Sequence, residues 1–127
     1  REICRGRVIT VFGAGGHRDK SKRPLMGNAA ARLSDCCIVT SDNPRDEEPQ
    51  AIIEEILTGM AGPQIRARVY KEPDRHKAII QAIGMAQPGD TVLICGKGHE
   101  NYQIIGGETL HFDDYEEAKQ AMENTLI

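Results

Sequence analysis

The chain has 127 residues, the length of one domain, because single domains usually span about 100–200 residues. Its 16 Lys and Arg against 19 Asp and Glu give a formal net charge of −3, so bulk charge favours neither nucleic acid nor an anionic membrane as a partner. With 39% hydrophobic and 28% charged residues the composition is that of a folded globular protein, and no apolar run approaches the roughly 18–20 residues of a spanning helix.

The start of the chain and the spacing of its cysteines give no sign of a secreted or zinc-binding protein. The chain starts at Arg1 without an initiator Met or the apolar region of a signal peptide, which predicts the cut edge of a longer protein. Its four cysteines lack a C-x-x-C motif or the spacing of a zinc site or disulfide framework. We therefore expect free thiols in a reducing cytoplasm, with Cys36 and Cys37 as small core residues on opposite faces of a strand.

Strand and helix patterns alternate along the first half of the chain. A β-branched run at 7–12 predicts a strand that ends in the glycine-rich turn 13–16. A helix is predicted to begin at Pro24, with its apolar face at Met26, Ala29, Ala30 and Leu33. Residues 36–40 predict a second buried strand. Pro49 opens a second helix, whose predicted apolar face comprises Ile52, Ile53, Ile56, Leu57 and Met60.

The same alternation continues in the second half. Residues 65–70 predict a half-exposed strand, and a third helix follows Asp74 and stops before Gly89. Another apolar strand is predicted at 91–95, and a short strand at 109–112 precedes a helix with an acidic first turn, over residues 113–124. Such a pattern predicts an α/β fold of three layers, a mostly parallel, Rossmann-like sheet with helices on both faces.

Three polar loops follow predicted strands, and parallel sheets bind ligands outside the carboxyl ends of their strands. The loop 13–23 joins glycines to an excess of cations before a helix N-terminus, which favours a phosphate or carboxylate site. A solvated basic turn is the alternative interpretation. The loop matches neither the G-x-G-x-x-G fingerprint nor the G-x-x-x-x-G-K-[ST] phosphate loop. The cations are Arg18, Lys20, Lys22 and Arg23.

The other two loops also carry charge. Asp42-Asn43-Pro44-Arg45 combines an acceptor, an amide and a guanidinium fork, a set suited to a zwitterionic small molecule, although Asp-Asn-Pro is also a common turn. The loop 96–100 pairs glycines with Lys97, His99 and Glu100. One His beside one Glu is too few for a metal site, so no metal is predicted. Nor does spacing support a Ser-His-Asp or Cys-His nucleophile, and the few aromatic residues give no stacking platform for nucleic acid.

Together the segments 10–24, 40–45 and 96–100 resemble, in the same order, the C-terminal domain of the Mur ligases, specifically the MurE type. The resemblance implies an ATP-dependent, amide-forming ligase of peptidoglycan synthesis, and hence of cell wall biogenesis. In that family a carboxylate of UDP-MurNAc-L-Ala-D-Glu is phosphorylated by ATP, and the amine of meso-2,6-diaminopimelate attacks the acyl phosphate. Two positions depart from the family pattern: His17, where acidic residues are common, and Tyr115, where arginine is common.

The resemblance also implies a meso-diaminopimelate site at Arg18, Asp42, Asn43, Pro44, Arg45, Gly96 and Glu100. Lys20 is a weaker candidate for contact with ATP phosphates. ATP and Mg²⁺ are expected in the full-length enzyme, held through central ATP-binding and N-terminal UDP-sugar domains that residues 1–127 do not include. The fragment alone, lacking also the opening strand and helix of the C-terminal domain, is then expected to be cytoplasmic and inactive, without catalytic residues.

Two other functions stay open from the residues alone. A free-standing α/β module that binds a small anion or an amino acid, without ligase activity, would use the same three loops. A pure interaction domain would need an exposed apolar patch. Neither alternative has a membrane or nucleic acid as its partner.

Overall fold

Strands and helices alternate along most of the chain. The structure is a computed structural model that describes residues 5–16, 19–96, 101–106 and 108–125. Its elements in chain order are β1 (Val8–Phe12), α1 (Lys22–Leu33), β2 (Cys36–Val39), α2 (Pro49–Leu57), β3 (Arg68–Lys71), α3 (Arg75–Met85), β4 (Thr91–Ile94), β5 (Tyr102–Ile105), β6 (Glu108–His111) and α4 (Asp114–Thr125). None of the helices in these ranges is long and apolar enough to cross a membrane.

Four of the strands form one parallel sheet in the order β3-β2-β1-β4. β1 lies between β2 and β4, with Ile9 opposite both Cys36 and Val92. The sheet therefore runs in one direction throughout, and the carboxyl ends of β1, β2 and β4 meet at one edge. The two remaining strands, β5 and β6, form a separate antiparallel hairpin.

Helices cover both faces of the sheet, which confirms the predicted α/β architecture. On one face, α1 and α2 bury a core that includes Cys37 and Ile53; on the other, α3 and α4 bury one that includes Cys36 and Ile79. Adjacent residues of a strand point to opposite faces, so the two cysteines serve different cores, as the sequence predicts. Burial raises the pKa of the Cys37 thiol to about 11.

Helix α1 differs from its prediction. It begins at Lys22 rather than Pro24, and the predicted apolar face is wrong at three positions that are exposed, Met26, Ala29 and Leu33. The buried residues of α1 are instead Arg23, Gly27 and Ala31, and the two small ones let α1 lie very close to α2. A Cβ added at Gly27 would approach the carbonyl oxygen of Ile56 to 2.3 Å, so only a residue without a side chain fits there.

Two strands also differ from expectation. β3 begins at Arg68 rather than at residue 65, because the partner strand β2 follows almost directly after the end of α1 at Leu33 and pairs from Cys36 onward. β5 is not predicted by the sequence pattern. It is anchored to the chain after β2 by an isolated parallel bridge between Arg45 and Ile105, a long-range contact that local periodicity does not reveal.

Candidate functional site

The described residues of the three predicted loops converge at the carboxyl edge of the sheet. A cavity of about 460 Å³ lies there, between the glycine loop after β1, the start of α1, and the ends of β2 and β4. It is lined by Gly13, Ala14, Gly15, Asp19, Lys22, Arg23, Met26, Asp42 and Gly96. A Cβ built at Gly96, whose φ is +114°, would lie 3.8 Å from the Asp42 carboxyl carbon, so these two predicted site residues are neighbours.

Two other depressions are less suited to a polar ligand. One, of about 390 Å³, lies at the amino-terminal edge of the sheet beside Asp35 and Arg66, opposite to the edge where parallel sheets bind ligands. The other is an apolar groove of about 350 Å³ between α1 and β4, whose lining includes Leu33 and Leu93. It offers almost no polar group to orient an amino acid.

The loop Asp42-Asn43-Pro44-Arg45 is held by hydrogen bonds from both sides. The Asn43 carbonyl oxygen accepts from the Gly16 backbone N–H at 2.7 Å. On the other side, the Asn43 side-chain oxygen accepts from the Ile104 N–H at 2.9 Å, and Gln103 Nε2 donates to the Asp42 carbonyl oxygen at 2.9 Å. Since Asn43 and Pro44 are buried, these two residues fix the shape of the loop, while Asp42 and Arg45 remain half-buried at its ends.

Arg45 has an unusual backbone conformation. Its φ is +57°, in the left-handed region that residues with a Cβ seldom adopt. Its guanidinium Nη1 donates to the carbonyl oxygens of Gly16 at 2.9 Å and Asn43 at 3.2 Å. No other hydrogen bond joins this guanidinium to residues in the described ranges. The backbone strain is compensated by contacts that orient the arginine, an arrangement often found at ligand sites.

The glycines of the first loop serve a second purpose besides the one expected. Gly13 and Gly15 line the cavity, in keeping with the expected approach of backbone to a ligand, and Gly13 and Gly16 also let the first loop approach the second. A Cβ at Gly13 would lie 2.3 Å from the Thr40 carbonyl oxygen, and one at Gly16 would lie 2.0 Å from that of Pro44. The absence of side chains at these positions therefore sets the spacing of the two loops.

The cations of the first loop are not equivalent. Arg23 is 1% exposed, and it donates to Glu47, Glu55 and the Gly15 carbonyl oxygen. The prediction that Arg23 is one of the cations of an anion site is therefore wrong, because two carboxylates already neutralise it. Lys20 remains exposed, with its Nζ 3.7 Å from a Glu47 oxygen.

The N-terminus of α1 already has an anion of its own. The Asp19 carboxylate accepts hydrogen bonds from the Ser21 hydroxyl at 2.6 Å and from its backbone N–H at 3.0 Å. These bonds lower the pKa of Asp19 below its ordinary value. The loop before α1 is therefore not purely cationic, because the Asp19 carboxylate lies at the start of the helix.

The sequence analysis does not identify Arg75, a buried arginine beneath the site. Arg75 is 1% exposed and forms a bidentate pair with Asp114, through Nε at 2.8 Å and Nη2 at 2.7 Å. It also donates to the carbonyl oxygens of Ser41 at 3.0 Å and Cys95 at 3.1 Å. The available signal was a cation at the first position of α3, directly after the Asp74 cap, where the helix dipole disfavours positive charge.

The structure brings together some of the predicted site residues. Asp42, Asn43, Pro44, Arg45 and Gly96 all follow the carboxyl ends of strands of the sheet. Of these, Asp42 and Gly96 line the cavity. Arg18 and Glu100 lie outside the described residues, as do His17, Lys97 and His99. Within the described ranges, no group of three or more His, Cys, Asp or Glu is placed to hold a metal ion.

Comparisons with known proteins agree on one family. A family model described as "Mur ligase, glutamate ligase domain" matches residues 1–98. The chain is 56% identical over 126 residues to the "UDP-N-acetylmuramoyl-L-alanyl-D-glutamate--2,6-diaminopimelate ligase" of Thermosynechococcus vestitus, covering 99% of this chain and 25% of the relative. It is 53% identical to the Aquifex aeolicus ligase of the same name, covering 96% of this chain and 25% of that protein.

A comparison with solved structures indicates the same family. A solved structure of a ligase with the same name has a TM-score of 0.89 and 42% identity, covering 96% of this chain and 25% of that one. The chain thus spans about a quarter of the length of the curated relatives it matches. What is similar is one domain of a larger enzyme.

Proposed function

Because the chain belongs to the Mur ligase family, we propose that it is the amino-acid-presenting domain of an ATP-dependent ligase of peptidoglycan synthesis. That ligase adds meso-2,6-diaminopimelate to UDP-MurNAc-L-Ala-D-Glu. The observation that carries the proposal is Arg45, whose backbone is left-handed and whose guanidinium donates to the glycine loop, at the same edge of the sheet as Asp42 and Gly96. The relatives named above are diaminopimelate ligases, which supports this ligand over another small anion.

The charges at this edge suit a zwitterionic amino acid. Nη1 of Arg45 is occupied by two backbone carbonyls, which leaves the rest of its planar fork to receive a carboxylate of the ligand. Asp42 supplies negative charge for an ammonium group. Arg18 and Glu100, outside the described residues, are proposed to add a second arginine and a second carboxylate to the same site.

The same charges give a reason for selectivity. Meso-diaminopimelate differs from lysine by one carboxylate on its distal carbon, so lysine would leave an arginine of the site without its partner. Sites built around a polar group of the substrate commonly reject the analogue that lacks it by factors on the order of 10⁴–10⁵. We therefore propose that Arg45 takes part in distinguishing the two amino acids.

In the proposed reaction, a carboxylate of the nucleotide-dipeptide is phosphorylated by ATP, which gives an acyl phosphate and ADP. The amine of diaminopimelate then attacks the acyl carbon. A C–N bond forms, the C–O bond to phosphate breaks, and the amine loses a proton as phosphate leaves. The role of this chain is to bind the amino acid and orient its amine, an effect of positioning rather than of acid–base chemistry.

ATP and Mg²⁺ are proposed to be held through other domains of the ligase. Lys20 is proposed to contact ATP phosphates when the domains close, because its side chain is 63% exposed and its pairing with Glu47 is long. Such an exposed pair contributes little to stability and is readily exchanged for a phosphate. A cytoplasmic location is proposed as well, in keeping with the free thiols of Cys36, Cys37 and Cys95.

A chimeric ligase tests the proposal directly. This chain would replace the matching quarter of the Thermosynechococcus vestitus ligase, and amide product would be measured by mass spectrometry with ATP, UDP-MurNAc-L-Ala-D-Glu and meso-diaminopimelate. We expect product that depends on ATP and on this domain, with the parent ligase as a positive control and the parent lacking the quarter as a negative one. A folded chimera without product would contradict the proposal.

A further inference from the structure

We propose that Arg75 is a positioning residue of the amino-acid site, which holds two of the site's loops at the spacing that binding requires. The inference rests on the function proposed above and concerns a residue outside the site itself. Arg75 lies at the start of α3 and does not line the cavity at the carboxyl edge. Because its guanidinium already makes four hydrogen bonds within the protein, it acts through the loops rather than on the ligand.

The contacts of Arg75 join three separate parts of the chain. Its guanidinium donates to the carbonyl oxygens of Ser41 and Cys95 and forms two bonds to Asp114. Ser41 directly precedes Asp42, and Cys95 directly precedes Gly96. The Arg75 side chain thus links three segments: the main chain before Asp42, the main chain before Gly96, and the first residue of α4.

The sheet holds only the N–H side of these two loops. β2 and β4 are not neighbours, since β1 lies between them. The last hydrogen bonds at this edge run from the backbone N–H groups of Thr40 and Cys95 to β1, whereas the carbonyl oxygens of Ser41 and Cys95 accept from Arg75. Arg75 bridges across the end of β1 and connects the two loops directly. Its burial, with the side chain 0% exposed and that of Asp114 9% exposed, keeps water from competing for these hydrogen bonds.

The geometry specifically requires an arginine. A planar guanidinium presents five N–H donors in fixed directions, so one group serves a bidentate carboxylate and two carbonyls. A lysine ammonium carries three donors around one nitrogen and cannot satisfy four acceptors spread over three segments. Lysine would retain the charge opposite Asp114 while releasing at least one of the loop carbonyls.

The test uses the chimeric ligase with Arg75→Lys and, separately, Asp114→Asn. For Arg75→Lys we expect the KM for meso-diaminopimelate to rise about ten- to a hundredfold, the effect of displacing positioned binding groups. The KM for the nucleotide-dipeptide should stay within about twofold, because the proposed site holds only the amino acid. Asp114→Asn should give a smaller rise in the same direction, since both loop carbonyls keep their donors.

Arg7→Lys is the matched control. Arg7 pairs with Asp90 at 3.1 Å and donates to the Met85 carbonyl oxygen at 2.8 Å, but it lies at the amino-terminal end of β1. A purely structural role for Arg75 would predict similar kinetics for both variants after stability is matched. Equal KM values in Arg75→Lys and Arg7→Lys, or an unchanged KM in Arg75→Lys, would overturn the inference.

The unmodified chimera separates this inference from the proposed function. If it forms product with meso-diaminopimelate and Arg75→Lys leaves the KM unchanged, only the positioning role fails. If the folded, unmodified chimera forms no product, the proposed function fails and this inference falls with it. Should Arg75→Lys not fold, Asp114→Asn decides, because a KM equal to that of the unmodified chimera would then contradict the role of the pair.

Discussion

The side-chain oxygen of Asn43 accepts a hydrogen bond from the backbone N–H of Ile104 at 2.9 Å, which ties the loop after β2 to the β5–β6 hairpin. Asn43 is 4% exposed, and removing its amide leaves the part-buried N–H of Ile104 without this partner. Asn43→Ala should lower the free energy of unfolding by about 1–3 kcal/mol, measured by urea denaturation. The exposed Asn124 is the control, and an equal, small effect of Asn124→Ala would contradict the anchoring role.

Alanine substitutions are usually more stable than glycine substitutions, but the left-handed conformation of Arg45 should reverse this order of stability. Arg45→Ala and Arg45→Gly lose the same guanidinium contacts, but only glycine adopts a φ of +57° without a Cβ penalty. The glycine variant should be more stable by about 1 kcal/mol, measured by urea denaturation of both proteins. An alanine variant that equals or exceeds the glycine variant in stability would show that the backbone conformation is not constrained.

Adding a methyl group should have opposite effects at two glycines. A Cβ at Gly16 would lie 2.0 Å from the Pro44 carbonyl oxygen, so Gly16→Ala must separate the two loops and should destabilise by about 1–3 kcal/mol. A Cβ at Gly84 on α3 meets nothing within 4 Å. Gly84→Ala should therefore stabilise by about 0.5–1 kcal/mol through helix propensity. Thermal unfolding of both variants gives the comparison, and a neutral Gly16→Ala would contradict the close approach.

Asp90 should make stability depend on pH. Hydrogen bonds from the backbone N–H groups of Arg7 and Gln87, together with the Arg7 guanidinium, lower the pKa of Asp90 below its ordinary value of 3.8. A carboxyl whose pKa is lowered by folding stabilises the folded state above the ordinary value, and this contribution is lost as the pH falls through the lowered one. Asp90→Asn should thus destabilise at about pH 7, and the difference should shrink below pH 3.8.

Urea denaturation at about pH 7 and about pH 3 would measure this difference. Glu123→Gln, an exposed change on α4, is the control and should alter stability little at either pH. A difference between the protein and Asp90→Asn that stays constant over this range would contradict the prediction, because the effect would then not depend on ionisation of Asp90.

Most of the architecture is predictable because it follows from local pattern. Continuous apolar runs predict buried parallel strands, and the order of Cys36 and Cys37 on opposite faces is confirmed. The convergence of the loops also follows, since parallel strands present their carboxyl ends at one edge. Local pattern does not indicate which residues from distant parts of the chain become neighbours in the folded protein.

The residues that sequence reasoning missed or misassigned all depend on neighbours from distant parts of the chain. Gly27 is buried because α1 approaches α2 closely, a contact that hydrophobic periodicity does not record. Arg23 and Arg75 are among the largest fully buried side chains, although arginine usually marks a surface. Their carboxylate partners stand 24 or more positions away in sequence, so only the folded arrangement shows that these charges are paired.

The ratio of kcat/KM for meso-diaminopimelate and lysine in the chimeric ligase tests the central claim most directly. The account predicts a preference for meso-diaminopimelate on the order of 10⁴–10⁵, which Arg45→Ala reduces at least tenfold because lysine then leaves no unpaired guanidinium at that position. Arg66→Ala, at the opposite edge of the sheet, should leave the ratio unchanged. A ratio that is the same in the chimera and in Arg45→Ala would contradict the proposed role of this arginine in selecting the amino acid.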